Sequence, residues 1–438
     1  MTALSSFVVE RLESRVLLAA SPVGMTPAMV RTAYGFDKIV FNSGGQAIAG
    51  DGSGQTIAIV TAYDDSRIVR DLHAFDAAFG LSNHDSTGRP ALTKLIPAGS
   101  IAIDRSWAQE TALDVEWAHA IAPGAHILLV EASSSSLGDL LNAVDVARQQ
   151  PGVVAVSMSW GGSEFPSETS LDPHMTTPAG HIGGGGLPGG VTFVAASGDS
   201  ASTSWPAVSP NVLSVGGTTL NVDSSGNRIS ETAWNGGGGG RALFEKNTNP
   251  TVAYNADPAT GFAVYDSLLF QGQRGWMQFG GTSTGTPQWA GLIAIADQGR
   301  TLIGKGSLDG ATQTIPALFS HPHHDFFDIV TGSNGVNAAA VGYDLVTGLG
   351  SPKAWHVATD LLAPGASPAA VPVITPRPVK TTLPALTLTG SARPLSSIAL
   401  ANPGALPLEN LPAGWRASMA SRFSGEAILL GARRELLM

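Results

Sequence analysis

Five short runs of β-branched and other apolar residues recur along the chain, at 56–60, 127–130, 153–156, 191–195 and 212–215. Each is bounded by Gly, Ser or Asp, and segments with helical periodicity lie between several of them. Continuous apolar strands alternating with amphipathic segments predict an α/β fold: a mostly parallel central sheet covered by helices on both faces. In such sheets functional groups gather beyond the carboxyl ends of the strands. Asp64, Asp65, Ser159 and Asp199 stand just past those ends. Two glycine runs, 183–186 and 236–240, read as flexible surface loops.

The pattern fades after residue 362. Pro364, Pro368, Pro372, Pro376 and Pro378 make a stiff linker, and an Ala/Leu/Pro-rich tail follows to Met438. The division this predicts is a leader at 1–25, one large domain at 26–363, and a linker with tail at 364–438. Of the 438 residues, 13% are charged, about half the usual fraction, and the net charge is −10. That balance argues against nucleic acid or an anionic membrane as partner. With no cysteine there is no disulfide framework, thiolate metal site or cysteine nucleophile. No apolar run approaches the ~20 residues that span a bilayer. The block from Arg11 to Ala20 resembles leaders of some bacterial extracellular proteins, so the expected location is outside the cell.

Three segments carry candidate chemistry. In Glu110-Thr-Ala-Leu-Asp114-Val-Glu-Trp-Ala-His-Ala-Ile-Ala-Pro123, a 3.6-residue period puts Glu110, Leu113, Asp114, Trp117, Ala118 and Ile121 on one stripe. Two carboxylates on an apolar face repel, raise at least one pKa and tend to share a proton, which suits a general acid/base. An exposed pair at a helix end is the competing use. In Gly280-Gly281-Thr282-Ser283-Thr284-Gly285-Thr286-Pro287, a serine sits in a glycine-rich turn ahead of the apolar run 289–296. Its hydroxyl would lie at a positive helix terminus, and the alternative is a plain N-cap. Asp199 follows the strand 191–195 through a Gly turn, where it points into a site or caps a turn.

Together these segments make the chain similar to the sedolisin family, the serine-carboxyl peptidases with a subtilisin-like three-layer fold. Further segments support the resemblance: Thr26-Pro-Ala-Met-Val-Arg-Thr-Ala-Tyr-Gly35, Ser157-Met-Ser-Trp-Gly161 and Trp205-Pro-Ala-Val-Ser-Pro210 with Val215-Gly-Gly-Thr-Thr219. So do Asp328-Ile-Val-Thr-Gly-Ser-Asn334 and Gly342-Tyr-Asp-Leu-Val-Thr-Gly-Leu-Gly350. The resemblance spans roughly 26–362 in the family's order.

It implies that Ser283 attacks a peptide carbonyl, Glu110 relays the proton, and Asp114 orients Glu110. Asp199, protonated, would donate to the oxyanion. Acidic carboxyls in these roles imply an acid optimum. The resemblance also implies one structural calcium ion, held by the carboxylates of Asp328 and Asp344 and the carbonyls of Ile329, Ala340 and Gly342. Ala340 replaces the family's usual glycine there. Peptide and protein substrates and a monomeric chain follow. Family members carry a long propeptide, and the residues ahead of Thr26 leave no room for one, so folding and control are expected to work differently here.

Two other readings compete. A Ser-His-Asp peptidase would use Asp64 or Asp65 with His73 or His119, although neither histidine has the required context. A non-catalytic binding protein on a peptidase scaffold is the second. His321, His323 and His324, in Ser320-His-Pro-His-His-Asp325, lack a structural zinc spacing and read as a solvated loop.

Overall fold

Strand β1 (Thr56–Ala62) is buried along its whole length. Ile57 and Ile59 pack into one hydrophobic cluster, Ala58 and Val60 into another. That period-two alternation is what a strand shows when helices cover both faces of its sheet. The computed structural model containing it describes residues 21–97, 99 and 101–364. The expected leader up to residue 20, and the linker and tail from 365, lie outside the described residues.

β1 belongs to an eight-stranded sheet with β2 (Leu92–Leu95), β3 (His126–Ala132), β4 (Val153–Met158), β5 (Thr192–Ala196), β6 (Val212–Val222), β7 (Arg228–Ala233) and β8 (Val252–Asn255). The order β8-β6-β5-β4-β1-β3-β2 is parallel throughout. β7 pairs antiparallel with the distal half of β6. All five apolar runs fall on strands of this sheet. The parallel strands β2 and β8 and the antiparallel hairpin β9 (Phe262–Phe270) and β10 (Gln273–Phe279) did not stand out in the sequence. β2 and β8 have four residues each, too few to show a period.

The helices that bear on the core and the sites are α1 (Pro27–Tyr34), α2 (Ile68–Phe79), α3 (Arg105–Ile121), α4 (Leu137–Arg148), α5 (Gly285–Leu302), α6 (Pro322–Asp325) and α7 (Ala354–Asp360). One cluster joins the sheet to α3 and α5 through Trp117 and Trp289; the other joins it to α4 through Leu140, Leu141 and Val144. The fold is the expected three-layer α/β arrangement.

α3 departs from the single apolar stripe read from its sequence. Every residue from 107 to 121 is buried. α3 lies between α2, α5, β1 and the β9 strand, so it has no solvent face. Its polar residues are therefore inside. Trp117 Nε1 donates to the Ala263 carbonyl at 2.9 Å, and Glu116 accepts from the Tyr265 N–H at 3.0 Å. The helix starts where Asp104 accepts from the Ser106 and Trp107 N–H groups, and it ends at Ile121, ahead of Pro123.

Candidate active site

β10 ends at Phe279 and passes through Gly280 and Gly281 into the tight turn Thr282–Thr284, which runs directly into α5. Thr284 Oγ1 donates to the Asn255 carbonyl at 2.7 Å, and Gln288 Nε2 donates to the Thr284 carbonyl at 2.8 Å. Pro287 fits the first turn of α5, where its missing N–H has no partner to lose. Ser283 thus stands on a fixed turn at a helix N-terminus, only 4% exposed.

The two acids of α3 are also inside, Glu110 at 2% and Asp114 at 0% exposure. Ser159, one residue past β4, links them to the serine turn. Its hydroxyl donates to Asp114 Oδ1 at 2.7 Å and lies 3.4 Å from the Ser283 carbonyl oxygen. A buried hydrogen bond from Thr111 Oγ1 to Thr61 Oγ1, 3.1 Å long, sets the rotation of α3 on β1. Glu110 precedes Asp114 by one helical turn, so both acids project from the same side of α3.

Asp199 reaches the same turn from the end of β5. Its Oδ1 accepts from the Thr282 N–H at 2.7 Å and from Thr282 Oγ1 at 2.8 Å. Thr282 Oγ1 in turn accepts from the Gly198 N–H at 3.1 Å. With Oδ1 doubly engaged as an acceptor, any proton on this carboxyl belongs on Oδ2. The glycine run 236–240 is not the surface loop its composition predicts. Residues 237–240 are buried, and the Gly238 N–H donates to the Gly198 carbonyl at 2.7 Å. A Cβ on Gly238 would stand 2.3 Å from the Ser197 carbonyl oxygen. Glycine is there to let two backbones meet behind Asp199.

The histidines are elsewhere. His119 is buried nine residues beyond Glu110, about 13 Å along the helix. Its Nε2 is 2.9 Å from the Ser82 carbonyl, and burial holds its pKa down to about 4. His73 is exposed. Asp64 pairs with Lys94, which also reaches Glu131, and Glu131 accepts from the Asp65 N–H. The acids after the first strand thus form a lysine-centred cluster and have no imidazole beside them.

The loop after β10 and α5 brings Asp328 and Asp344 to the same turn. Asp328 Oδ2 accepts from the Gly342 N–H and Asp344 Oδ2 from the Ala340 N–H, both at 3.0 Å. Asp344 Oδ1 also accepts from Val346 and Thr347 N–H groups. The contacts seen are thus of two carboxylates with N–H groups of one loop, and carboxylate oxygens are the kind of donor a hard cation such as calcium takes.

Sequence reasoning named Ser283, Glu110, Asp114 and Asp199 but gave Ser159, Thr282 and Gly281 no role. Ser159 lies past a strand end and Thr282 beside the serine, so position marked them. Their partners are 45 and 83 residues away in the chain, so nothing local revealed the bonds.

The sheet, the serine turn at the start of α5 and the acids of α3 define a subtilisin-like class of α/β protein, and the Subtilase family model matches residues 97–305. Within that class the chain is 33% identical to kumamolisin of Bacillus sp. (strain MN-32) over 369 residues, covering 73% of this chain and 59% of that protein. It is 26% identical to sedolisin of Pseudomonas sp. (strain 101) over 377 residues, 74% of this chain and 58% of that one. A solved structure of Pseudomonas sedolisin, a serine-carboxyl proteinase complexed with two molecules of pseudo-iodotyrostatin, superposes with a TM-score of 0.62 at 26% identity. It covers 77% of this chain and 98% of that one. The chain belongs to the sedolisin family of serine peptidases. It spans less than three fifths of the length of the two curated relatives.

Proposed function

We propose that this chain is a serine-carboxyl endopeptidase that cleaves proteins and peptides at acid pH. The observation carrying the reading is the Ser159 hydroxyl, which joins Asp114 to the backbone of Ser283 in a buried site. No imidazole takes that position among the contacts described above.

In this reading Ser283 Oγ attacks the carbonyl carbon while Glu110 takes its proton and later returns it to the leaving amine. Asp114 orients Glu110 and shares its proton, and Ser159 fixes Asp114. Asp199, protonated on Oδ2, donates to the developing oxyanion beside the Ser283 N–H. A carboxyl donates only while it keeps its proton, and a carboxylate base works best near its own pKa. Activity therefore belongs to the acid range.

One calcium ion, held by Asp328, Asp344 and the carbonyls of Ile329, Ala340 and Gly342, would lock the loop 328–344. A cysteine-free protein working outside the cell needs a staple of that kind. We place the protein outside the cell as a monomer acting on polypeptides, with neither nucleic acid nor membrane as partner. Among the described residues no helix is long and apolar enough to cross a bilayer.

The test is digestion of an unfolded protein across pH 3–8 by the parent chain and by Ser283→Ala. Cleavage below pH 6 by the parent alone supports the reading. A maximum near pH 8, or equal cleavage by Ser283→Ala, overturns it.

A further inference from the structure

The histidine segment read as a solvated loop is instead the short helix α6, with Pro322 at its start. Helical spacing sets His321, His324 and Asp325 at i, i+3 and i+4, on one side of the turn. Asp325 is buried at 1% exposure. α7 packs against α6 and brings its last residue, Asp360, to the same point.

The distances there are those of ligands around a shared ion. His321 Nδ1 is 3.4 Å from Asp360 Oδ2, and His324 Nδ1 is 3.3 Å from the same oxygen. His324 Nδ1 is also 3.0 Å from Asp325 Oδ1. One ligand atom from each of His321, Asp325 and Asp360 lies within 4.8 Å of the other two. Ligand atoms about 2.0–2.2 Å from a zinc ion stand about 3.3 Å apart along the edge of a tetrahedron. The measured separations bracket that edge.

A second observation points the same way. The Asp360 side chain is nine-tenths buried, and its Oδ2 accepts no hydrogen bond although two imidazole nitrogens stand within 3.4 Å. His324 Nδ1 is already the hydrogen-bond partner of Asp325 Oδ1, which leaves His321 Nδ1 as the imidazole nitrogen that faces Asp360 Oδ2 without a hydrogen bond, as a fellow ligand would. Two carboxylates facing each other also need a cation or a shared proton between them. Imidazole with carboxylate is a donor set for zinc-class ions, whereas the 328–344 loop offers oxygen alone.

We propose that His321, Asp325 and Asp360, with His324 alongside them, form a site for a divalent transition ion of the zinc class, separate from the serine site and from the calcium loop. The ion would staple α6 to α7, the last described helix. His356, whose ring lies 3.7 Å centroid to centroid from His324, supports that imidazole from the outer side. The ligating imidazoles must be neutral, so the site fills near neutral pH and empties in acid.

The experiment uses the metal-stripped full chain at pH 7.5 with calcium in excess, titrated with zinc chloride against a chromophoric chelator. One equivalent should bind. His321→Ala and Asp360→Asn should each weaken it at least tenfold, while His323→Ala, whose side chain is exposed, and Asp328→Asn should not. Cobalt(II) added to the parent should give the intense visible bands of a four-coordinate ion, a readout that depends on no variant folding. Absence of stoichiometric zinc binding to the parent, or unchanged binding in both His321→Ala and Asp360→Asn, overturns the proposal.

Discussion

Asp199 and Gly281 compete for one space. A Cβ on Gly281 would stand 2.6 Å from Asp199 Oδ2, and Gly281 has φ of +106°, where L side chains rarely go. Gly281→Ala therefore both strains the turn and pushes Asp199 off Thr282. The serine follows two residues later, so a displacement there reaches the reacting atoms. We expect kcat/KM on an acid-unfolded protein substrate to drop about 100-fold, the usual effect of a ~1 Å misplacement. Wild-type kinetics in a correctly folded Gly281→Ala would refute the role given to Asp199.

The Ser159–Asp114 bond separates positioning from chemistry. On the proposed mechanism Ser283→Ala and Glu110→Gln each remove a group that handles reacting atoms, and each should lower kcat by at least ~10³-fold. Ser159→Ala removes a donor to a buried carboxylate and should destabilise by about 1–3 kcal/mol. It should also displace the pH–rate profile, because Asp114 would lose the donor on Oδ1. Ser159→Thr keeps the hydroxyl and should restore the profile. A Ser159→Ala enzyme that is less stable but has an unmoved profile would reduce Ser159 to a packing role. His73→Ala, on an exposed side chain, should change nothing.

The sheet and the serine turn were readable because both are local patterns: apolar runs five or so residues long, and a glycine-bracketed serine before an apolar helix. α3 misled because periodicity assumes a solvent face, and this helix has none. The run 236–240 misled for a related reason. Glycine marks freedom in an open loop and close backbone approach in a packed one, and only the position of Ser197 and Gly198 tells which. The histidines of α6 could not be read alone, since Asp360 arrives from 35 residues downstream through packing of α7.

Removing the proposed calcium should expose a difference between its two carboxylates. Asp344 Oδ1 also accepts from the N–H groups of Val346 and Thr347 and from Thr347 Oγ1, so it holds the turn without an ion. Asp328 accepts only from the Gly342 N–H among the hydrogen bonds described. A calcium chelator should lower the parent Tm, and Asp328→Asn should have a lower Tm and little further response to chelator. Asp344→Asn should fall further than Asp328→Asn. If chelator leaves the parent Tm unchanged, the loop is self-supporting and binds no structural ion.

Stability should be greater in mild acid than at neutral pH, independently of catalysis. Burial pushes Asp76, Glu131 and Asp266 up to about 7, in Glu131 despite its pairing with Lys94. Asp65 rises to about 6, and Glu168 and Glu245 to about 7, again chiefly through burial. Unfolded carboxyls titrate near ~4, so between pH 4 and 7 the folded chain holds protons that the unfolded chain has released. Stability then falls as pH rises through that window. Three histidines oppose this. Burial lowers His119 and His356 to about 4 and also lowers His126, so they favour the folded state above pH 6.5 and weaken it as pH falls. Three such groups are outnumbered by six carboxyls acting the other way. Asp85 and Asp309, held low by hydrogen bonds, act only below pH 4 and leave the window unchanged. Thermal unfolding of Ser283→Ala, which on the proposed mechanism cannot digest itself, should give a higher Tm at pH 4.5 than at pH 7.5. Asp76→Asn and Asp266→Asn, which remove a charge without removing volume, should narrow that gap by raising the value at pH 7.5. A Tm that rises steadily from pH 4.5 to 7.5 would mean that these acids stay ionised in the folded protein.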